Sequence, residues 1–302
     1  MTSLLEQEVA FISGVDATSR IAATSFGTWF TTAQANPATY GQVSDIFTWS
    51  KSGLPGSGAS ITYRFDANWS DDQKAAIAAA MGLWSAVANV RFSEKTDEGL
   101  ADFQIISDTT YKGADWVERS YTRNAVGSSV LPVLTASLEN RIKINPEAPG
   151  LKPITTDLSQ GAEPLSTVIH ELGHALGLGH GGPYNGNYDS ATQQFSAYDT
   201  MLWSLMSYID ADDTRARFLD DYPVGGTSWP NAHPLTPMMI DILAIQRLYG
   251  VQKEGPLSKG GQVFGFNSNI EGAISMFFDF NRNVKPVVTL WDGGTGNTLC
   301  LL

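Results

Sequence analysis

Between residues 170 and 180 the chain reads His170-Glu171-Leu-Gly-His174-Ala-Leu-Gly177-Leu-Gly-His180, and few folds accommodate that spacing. Residues four apart stand one turn apart on a helix, so His170 and His174 can reach one metal ion from the same face. Gly177 lets the backbone turn out of the helix where a side chain would clash. That turn can bring His180 back as a third ligand. Three nitrogen ligands and an open position suit a catalytic zinc, whereas structural zinc sites are closed by four. Glu171 follows the first ligand directly and points beside the metal. It is placed as general base to take the proton from zinc-bound water as that water attacks a carbonyl, the metal lowering the water's pKa towards about 7. The chain has only 4 histidines and three fall in this run, which favours a ligand set over scattered core or surface histidines.

The flanking sequence supplies a frame. Ile61–Phe65 alternates as a strand does, and Ser70 with Gln73 has the spacing of a capping box. The helix that follows places Ile77, Met81, Trp84, Val87 and Ala88 on one face. Strand-like segments come next at Val90–Ser93, Phe103–Ile106 and Arg141–Ile144, so a βαβ start feeds a mixed sheet of the α/β or α+β kind. The histidine helix is predicted over 164–176, with Pro164 in its first turn and Gly177 at its end. A third helix is predicted from Thr236 to Tyr249, with Thr236 as N-cap, Pro237 at N1 and Gly250 as the stop. The intervening passage, 181–234, reads as too polar and irregular for a core layer, and a loop that long usually lines a site.

Composition narrows the partners. A net charge of -12 disfavours nucleic acid and anionic membrane surfaces, which would repel the chain. The single cysteine, Cys300, allows no intrachain disulfide. No stretch approaches a transmembrane helix, and the start MTSLLEQEVAFISG lacks the basic region of a Sec-type signal peptide. A monomer is the expectation.

The extended histidine motif is the signature of the metzincins, and Ser204-Leu-Met206-Ser207-Tyr208 resembles the methionine turn of their serralysin-type branch. The resemblance implies that Met206 forms a hydrophobic floor beneath the ligating histidines. It implies that Tyr208 is an additional zinc ligand that swings away to hydrogen-bond the developing oxyanion. Pro237–Gly250, Val263–Asn269, Ile61–Phe65 and the helix carrying Trp84 are similar to further serralysin segments. His233 precedes the last helix where relatives often carry a histidine; it is read as a loop residue with a structural hydrogen bond.

The fold implied by the resemblance is an α+β, metzincin-like zincin fold: a twisted mixed five-stranded sheet with an active-site helix, the Met-turn and a C-terminal helix. Residues 1–50 would be an N-terminal arm or short pro-segment, 51–250 the catalytic domain, and 251–302 the start of a truncated β-roll. The implied function is a secreted, zinc-dependent endopeptidase that binds protein or peptide substrates as an extended strand on a sheet edge. Serralysins continue into calcium-binding repeats and a type I export signal. Here one acid-poor turn, with Asn297 and Cys300 at places where the family tends to have aspartate, is expected to bind calcium (Ca2+) poorly, and the export route is left open. No N-terminal cysteine is present to block the zinc, which leaves Asp16 or Asp45 as candidate blocking groups. The competing reading is a non-catalytic or latent zinc-binding relative acting as a binding module or toxin component. Glu171 argues against it, because a fold kept only for binding needs no base beside the first ligand. A zinc hydrolase of non-peptide amides is disfavoured by the Met-turn.

Overall fold

The computed structural model describes residues 2–26, 46–96, 100–111, 113–117, 121–123, 129–132, 140–160, 162–219 and 233–301. Strand β2 (Ala59–Phe65) leads into helix α2 (Asp71–Val87) and back to β3 (Val90–Glu94). The capping box forms as expected: Gln73 N donates to Ser70 Oγ at 3.2 Å, and Ser70 N donates to Gln73 Oε1 at 3.0 Å. After β4 (Phe103–Ser107), β5 (Ala114–Val117) and β8 (Asn140–Ile144), the main sheet has the order β3-β2-β4-β8-β5. Every pairing in it is parallel except that of β5 with β8, which gives the mixed five-stranded sheet expected. A separate small sheet joins β1 (Ile46–Phe47), β7 (Ser129–Pro132) and β6 (Tyr121–Arg123).

Apolar alternation drives the sheet face into the core: Ile61, Phe103, Ile105, Ile142 and Ile144 are buried, as are Ile77, Met81, Trp84, Val87 and Ala88 from α2. Ala88 closes α2 in an extended conformation as its C-cap. Against α2 lies α3 (Glu163–Ala175), the histidine helix, and Trp84 Nε1 reaches across to donate to Ile169 O at 3.1 Å. A buried indole N–H needs such a partner, and here the bond fixes one helix on the other.

Helix α5 (Met239–Tyr249) begins two residues later than the sequence suggested, with Met238 in place of Thr236 at its N-cap. Thr236 is not its cap, because its Oγ1 accepts from Thr289 N at 2.8 Å. Asp241 instead reaches back from the first turn to accept from Met238 N at 2.8 Å, a carboxylate at the positive end of the helix. Gly250 ends α5 as expected. The passage after α3 contains the short helix α4 (Ser190–Gln193), and its described part corrects the expectation that it is too polar and irregular for a core layer. Tyr184, Ser190, Ser196, Asp199, Thr200, Ser204, Leu205 and Met206 are all buried. It is polar because it is a hydrogen-bonded layer, and side-chain partners far apart in sequence let it enter the interior. Near the end of the chain, β9 (Val263–Gly265) pairs in parallel with β10 (Thr298–Cys300), and Asn297 Oδ1 accepts from Gln262 N at 2.9 Å.

The N-terminal helix α1 (Leu4–Ser13) packs on α5 and buries Val9, Phe11 and Ile12. Arg247 Nη2 donates to Glu6 Oε2 at 2.9 Å and Nη1 lies 2.8 Å from Glu6 Oε1, an ion pair that ties α1 to α5. Asp16 is engaged locally, accepting from Thr18 and from the Arg20 amide; Asp45 lies outside the described residues.

Glu8 on α1 is fully buried. Its Oε2 accepts from Ser196 Oγ at 2.6 Å, and its Oε1 has no hydrogen-bond partner among the described residues. Burial, reinforced by the Asp199 carboxylate, pushes its carboxyl well above the ordinary glutamate range. The folded state therefore holds a proton that the unfolded chain releases once pH passes that range. This contribution to stability is complete at low pH and lost as pH rises through the folded pKa. Glu8→Gln keeps an acceptor for Ser196 without a charge. It should unfold at higher urea than the parent near about pH 8, the difference shrinking towards about pH 5; urea midpoints at both pH values check this, and a difference that grows on acidification refutes it.

Candidate metal centre

Helix α3 presents His170 and His174 one turn apart, and it ends because Gly177 takes φ +104°, a conformation a side chain would strain. The carbonyls left open at the helix end are taken by aromatic groups. Trp49 Nε1 donates to Ala175 O at 2.6 Å and Tyr249 Oη to Leu176 O at 2.7 Å. Leu178 N folds back onto Gly173 O at 3.0 Å and Gly179 N donates to Ile12 O of α1 at 2.8 Å. The turn delivers His180 to the other two histidines.

Each imidazole is oriented from behind by a backbone carbonyl, which can only accept. His170 Nδ1 donates to Leu205 O at 2.9 Å, His174 Nδ1 to Leu178 O at 2.9 Å, and His180 Nδ1 to Tyr184 O at 2.8 Å. With the proton committed at Nδ1, every Nε2 offers a lone pair. Those nitrogens converge: His180 Nε2 lies 3.3 Å from His170 Nε2 and 2.9 Å from His174 Nε2. Three nitrogens, each about 2.05 Å from a tetrahedral zinc, stand roughly 3.3 Å apart, so the donor set fits that ion. Desolvation holds the His170 imidazole down to about 4, against the pull of its bond to the Leu205 carbonyl, and it stays neutral as a ligand must.

Among the described residues this triad is the one cluster of histidine, cysteine and carboxylate groups arranged to hold a metal ion; His233 lies outside it. Glu171, adjacent to His170, is buried. Tyr208 flanks the histidines, its ring centroid 4.4 Å from that of His180 and 5.8 Å from that of His170.

The turn carrying Met206 supports this arrangement. Asp241 of α5 accepts from Ser204 Oγ and Leu205 N, both at 2.6 Å, and Leu205 O then holds His170. Met206 is fully buried, and its backbone carbonyl accepts from Gly181 N at 3.1 Å. The sequence motifs do not reveal Tyr184 and Asp199. Tyr184 Oη donates to Asp199 Oδ1, Ser207 Oγ donates to the same oxygen at 2.8 Å, and Tyr208 N donates to Tyr184 Oη at 3.2 Å. No spacing rule marks these residues; a tyrosine four positions beyond the last histidine is the one local hint.

The chain is similar to known proteins. Residues 48–186 match the matrixin (peptidase M10) family. Metallopeptidase AprA of Pseudomonas marginalis is 34% identical over 232 residues, spanning 75% of this chain and 43% of that protein. A serralysin of Proteus mirabilis is 26% identical over 277 residues, 83% of this chain and 51% of its own length. The chain thus spans about half the length, or less, of these curated relatives. A hatching-enzyme zinc-protease of the medaka fish Oryzias latipes, high choriolytic enzyme 1, overlays with a TM-score of 0.34 at 15% identity, covering 67% of this chain and 94% of that one; an overlay that loose carries no argument. Among the described residues no helix is long and apolar enough to cross a membrane.

A Cβ on Gly173 would lie 2.6 Å from Met206 Sδ and 3.1 Å from Trp84 Cζ2. Gly173→Ala should therefore push the Met-turn away from α3, lowering stability by about 1–3 kcal/mol and weakening zinc binding through the displaced Leu205 carbonyl. Urea unfolding and competition with a chelator measure the two effects; unchanged zinc affinity would show that the Met206 side chain takes up the added methyl without moving the Leu205 carbonyl.

Proposed function

The chain is a serralysin-type metzincin over the region it shares with these relatives, and from that premise we propose that it is a zinc-dependent endopeptidase acting on protein or peptide substrates. The observation that carries the reading is the convergence of three Nε2 atoms whose opposite ring nitrogens are all anchored to carbonyls. His170, His174 and His180 would hold the zinc, with Tyr208 as the additional ligand. Zinc bound there would bring the pKa of water towards about 7 and polarise a substrate carbonyl.

The protein's own groups divide the remaining work. Glu171, buried beside the first ligand, takes the proton from the attacking water and passes it to the departing amine. Tyr208 turns its hydroxyl to the oxyanion, donating a bond that is stronger in the transition state than in the ground state. The edge strand β5, antiparallel to β8 and packed beside α3, offers main-chain groups to a substrate lying extended. We read residues 51–250 as the unit that carries this chemistry and the site of action as extracellular; family likeness is the support for both.

Casein hydrolysis should be measured for the parent, Glu171→Ala and Tyr208→Phe, each with its zinc content. Glu171→Ala should keep one zinc and lose about 10²- to 10⁴-fold in kcat, the usual worth of a general base. Tyr208→Phe should lose about 10²-fold in kcat with KM little changed, as when one oxyanion donor is removed. A parent protein that holds one zinc and cleaves nothing would overturn the reading in favour of a non-catalytic or latent binding protein.

A further inference from the structure

We propose that Tyr184 is a positioning residue that ties the third zinc ligand to the oxyanion donor, so that His180 and Tyr208 are set by one side chain and its backbone. This rests on the oxyanion role proposed for Tyr208 and goes beyond it by naming what holds that residue.

The argument starts from one fully buried phenol. Tyr184 O accepts from His180 Nδ1 at 2.8 Å, and the Tyr184 ring lies 5.8 Å from the His180 ring and 5.0 Å from the Tyr208 ring, within 30° of parallel to each. Its hydroxyl proton is given to Asp199 Oδ1. The phenol oxygen is thereby left as an acceptor, and Tyr208 N supplies a proton at 3.2 Å. Asp199 cannot turn aside, because Oδ1 also accepts from Ser207 Oγ at 2.8 Å and Oδ2 from Phe195 N at 3.1 Å. A metal ligand is oriented by the partner of its second nitrogen, and loss of such partners typically costs 10–100-fold in affinity or activity. Here that partner's own side chain continues to the backbone from which Tyr208 extends. A displacement of Tyr184 therefore moves a ligand and the oxyanion donor together.

The test is Tyr184→Phe, alone and combined with Tyr208→Phe. The substitution keeps the ring, both stacking contacts and the carbonyl that holds His180. It deletes the bonds to Asp199 and from Tyr208 N, together with the 3.2 Å contact between the phenol oxygen and Ser207 Oγ. With Tyr208 present, kcat should fall about tenfold with KM changed less than about twofold; in the Tyr208→Phe background it should cost nothing further. A residue that merely supports the fold would cost the same in both backgrounds, and that result overturns the proposal, as does an unchanged kcat with Tyr208 present. The visible absorption of the Co2+-substituted protein gives a readout that needs no turnover. Tyr184→Phe should shift the band when Tyr208 is present and leave it in place when Tyr208 is Phe. If Tyr208→Phe alone leaves kcat untouched, the oxyanion role fails, and the Co2+ band still decides the positioning. Should melting show Tyr184→Phe unfolded, Asp199→Asn, which leaves the phenol in place, is carried through the same pair of backgrounds.

Discussion

Three imidazole rings are each pinned through Nδ1 by a backbone carbonyl, from Leu205, Leu178 and Tyr184, and much of the interior answers to that constraint. A carbonyl holds a ring in place only if its own peptide unit is immobile, so three separate chain segments must be fixed to about the precision of a metal–ligand bond. Leu178 is held by the turn that closes α3, through its own amide on Gly173. Leu205 belongs to the Met-turn, and Tyr184 to the polar layer beyond the last ligand. The two-layer body of sheet and helices supplies the rigid floor, with Trp84 joining α2 to α3 at mid-height. The site is then completed by segments with little regular structure of their own.

Two buried carboxylates bracket the Met-turn. Asp241 takes the hydroxyl of Ser204 and the amide of Leu205 at its start, while Asp199 takes the hydroxyl of Ser207 at its end. Burying a carboxylate is costly unless it is hydrogen-bonded, and each of these two accepts at least three bonds. Because Asp241 also organises the start of α5, the C-terminal helix and the Met-turn cannot shift independently. The N-terminal helix joins the same assembly through Ile12 O on Gly179 N and through Arg247 of α5.

How much of this the sequence discloses depends on how local the physics is. The histidine helix, the capping box of α2 and four of the five strands of the main sheet follow from periodicity and from contacts three or four residues apart, and they are found where expected; the edge strand β5 (Ala114–Val117) is not marked by the sequence pattern. The start of α5 is misjudged because Thr236 has the right chemistry for a cap and a distant amide, Thr289 N, claims it. The burial of the 181–219 passage is unreadable for a related reason. Its polar residues look solvent-facing one at a time, and their partners, such as Asp199 for Tyr184 or Glu8 for Ser196, lie at separations no pattern marks. The contact of Ile12 with Gly179 is made by peptide groups, which every sequence contains.

Met206 shows why a support can need a particular side chain without taking part in chemistry. The space below α3 is bounded by the bare Cα of Gly173 and the edge of the Trp84 indole, and Met206 Sδ would be only 2.6 Å from a Cβ on Gly173. A β-branched residue at 206 carries its bulk at Cβ, close to the turn, and leaves the far end of that gap unfilled. An unbranched thioether extends into it and adapts its torsions to the indole. The backbone of the turn is meanwhile committed on three sides, through Leu205 N to Asp241, Leu205 O to His170 and Met206 O to Gly181 N. With the main chain so constrained, the fit under α3 has to be made by side-chain flexibility. Glycine above and methionine below are thus two halves of one packing solution.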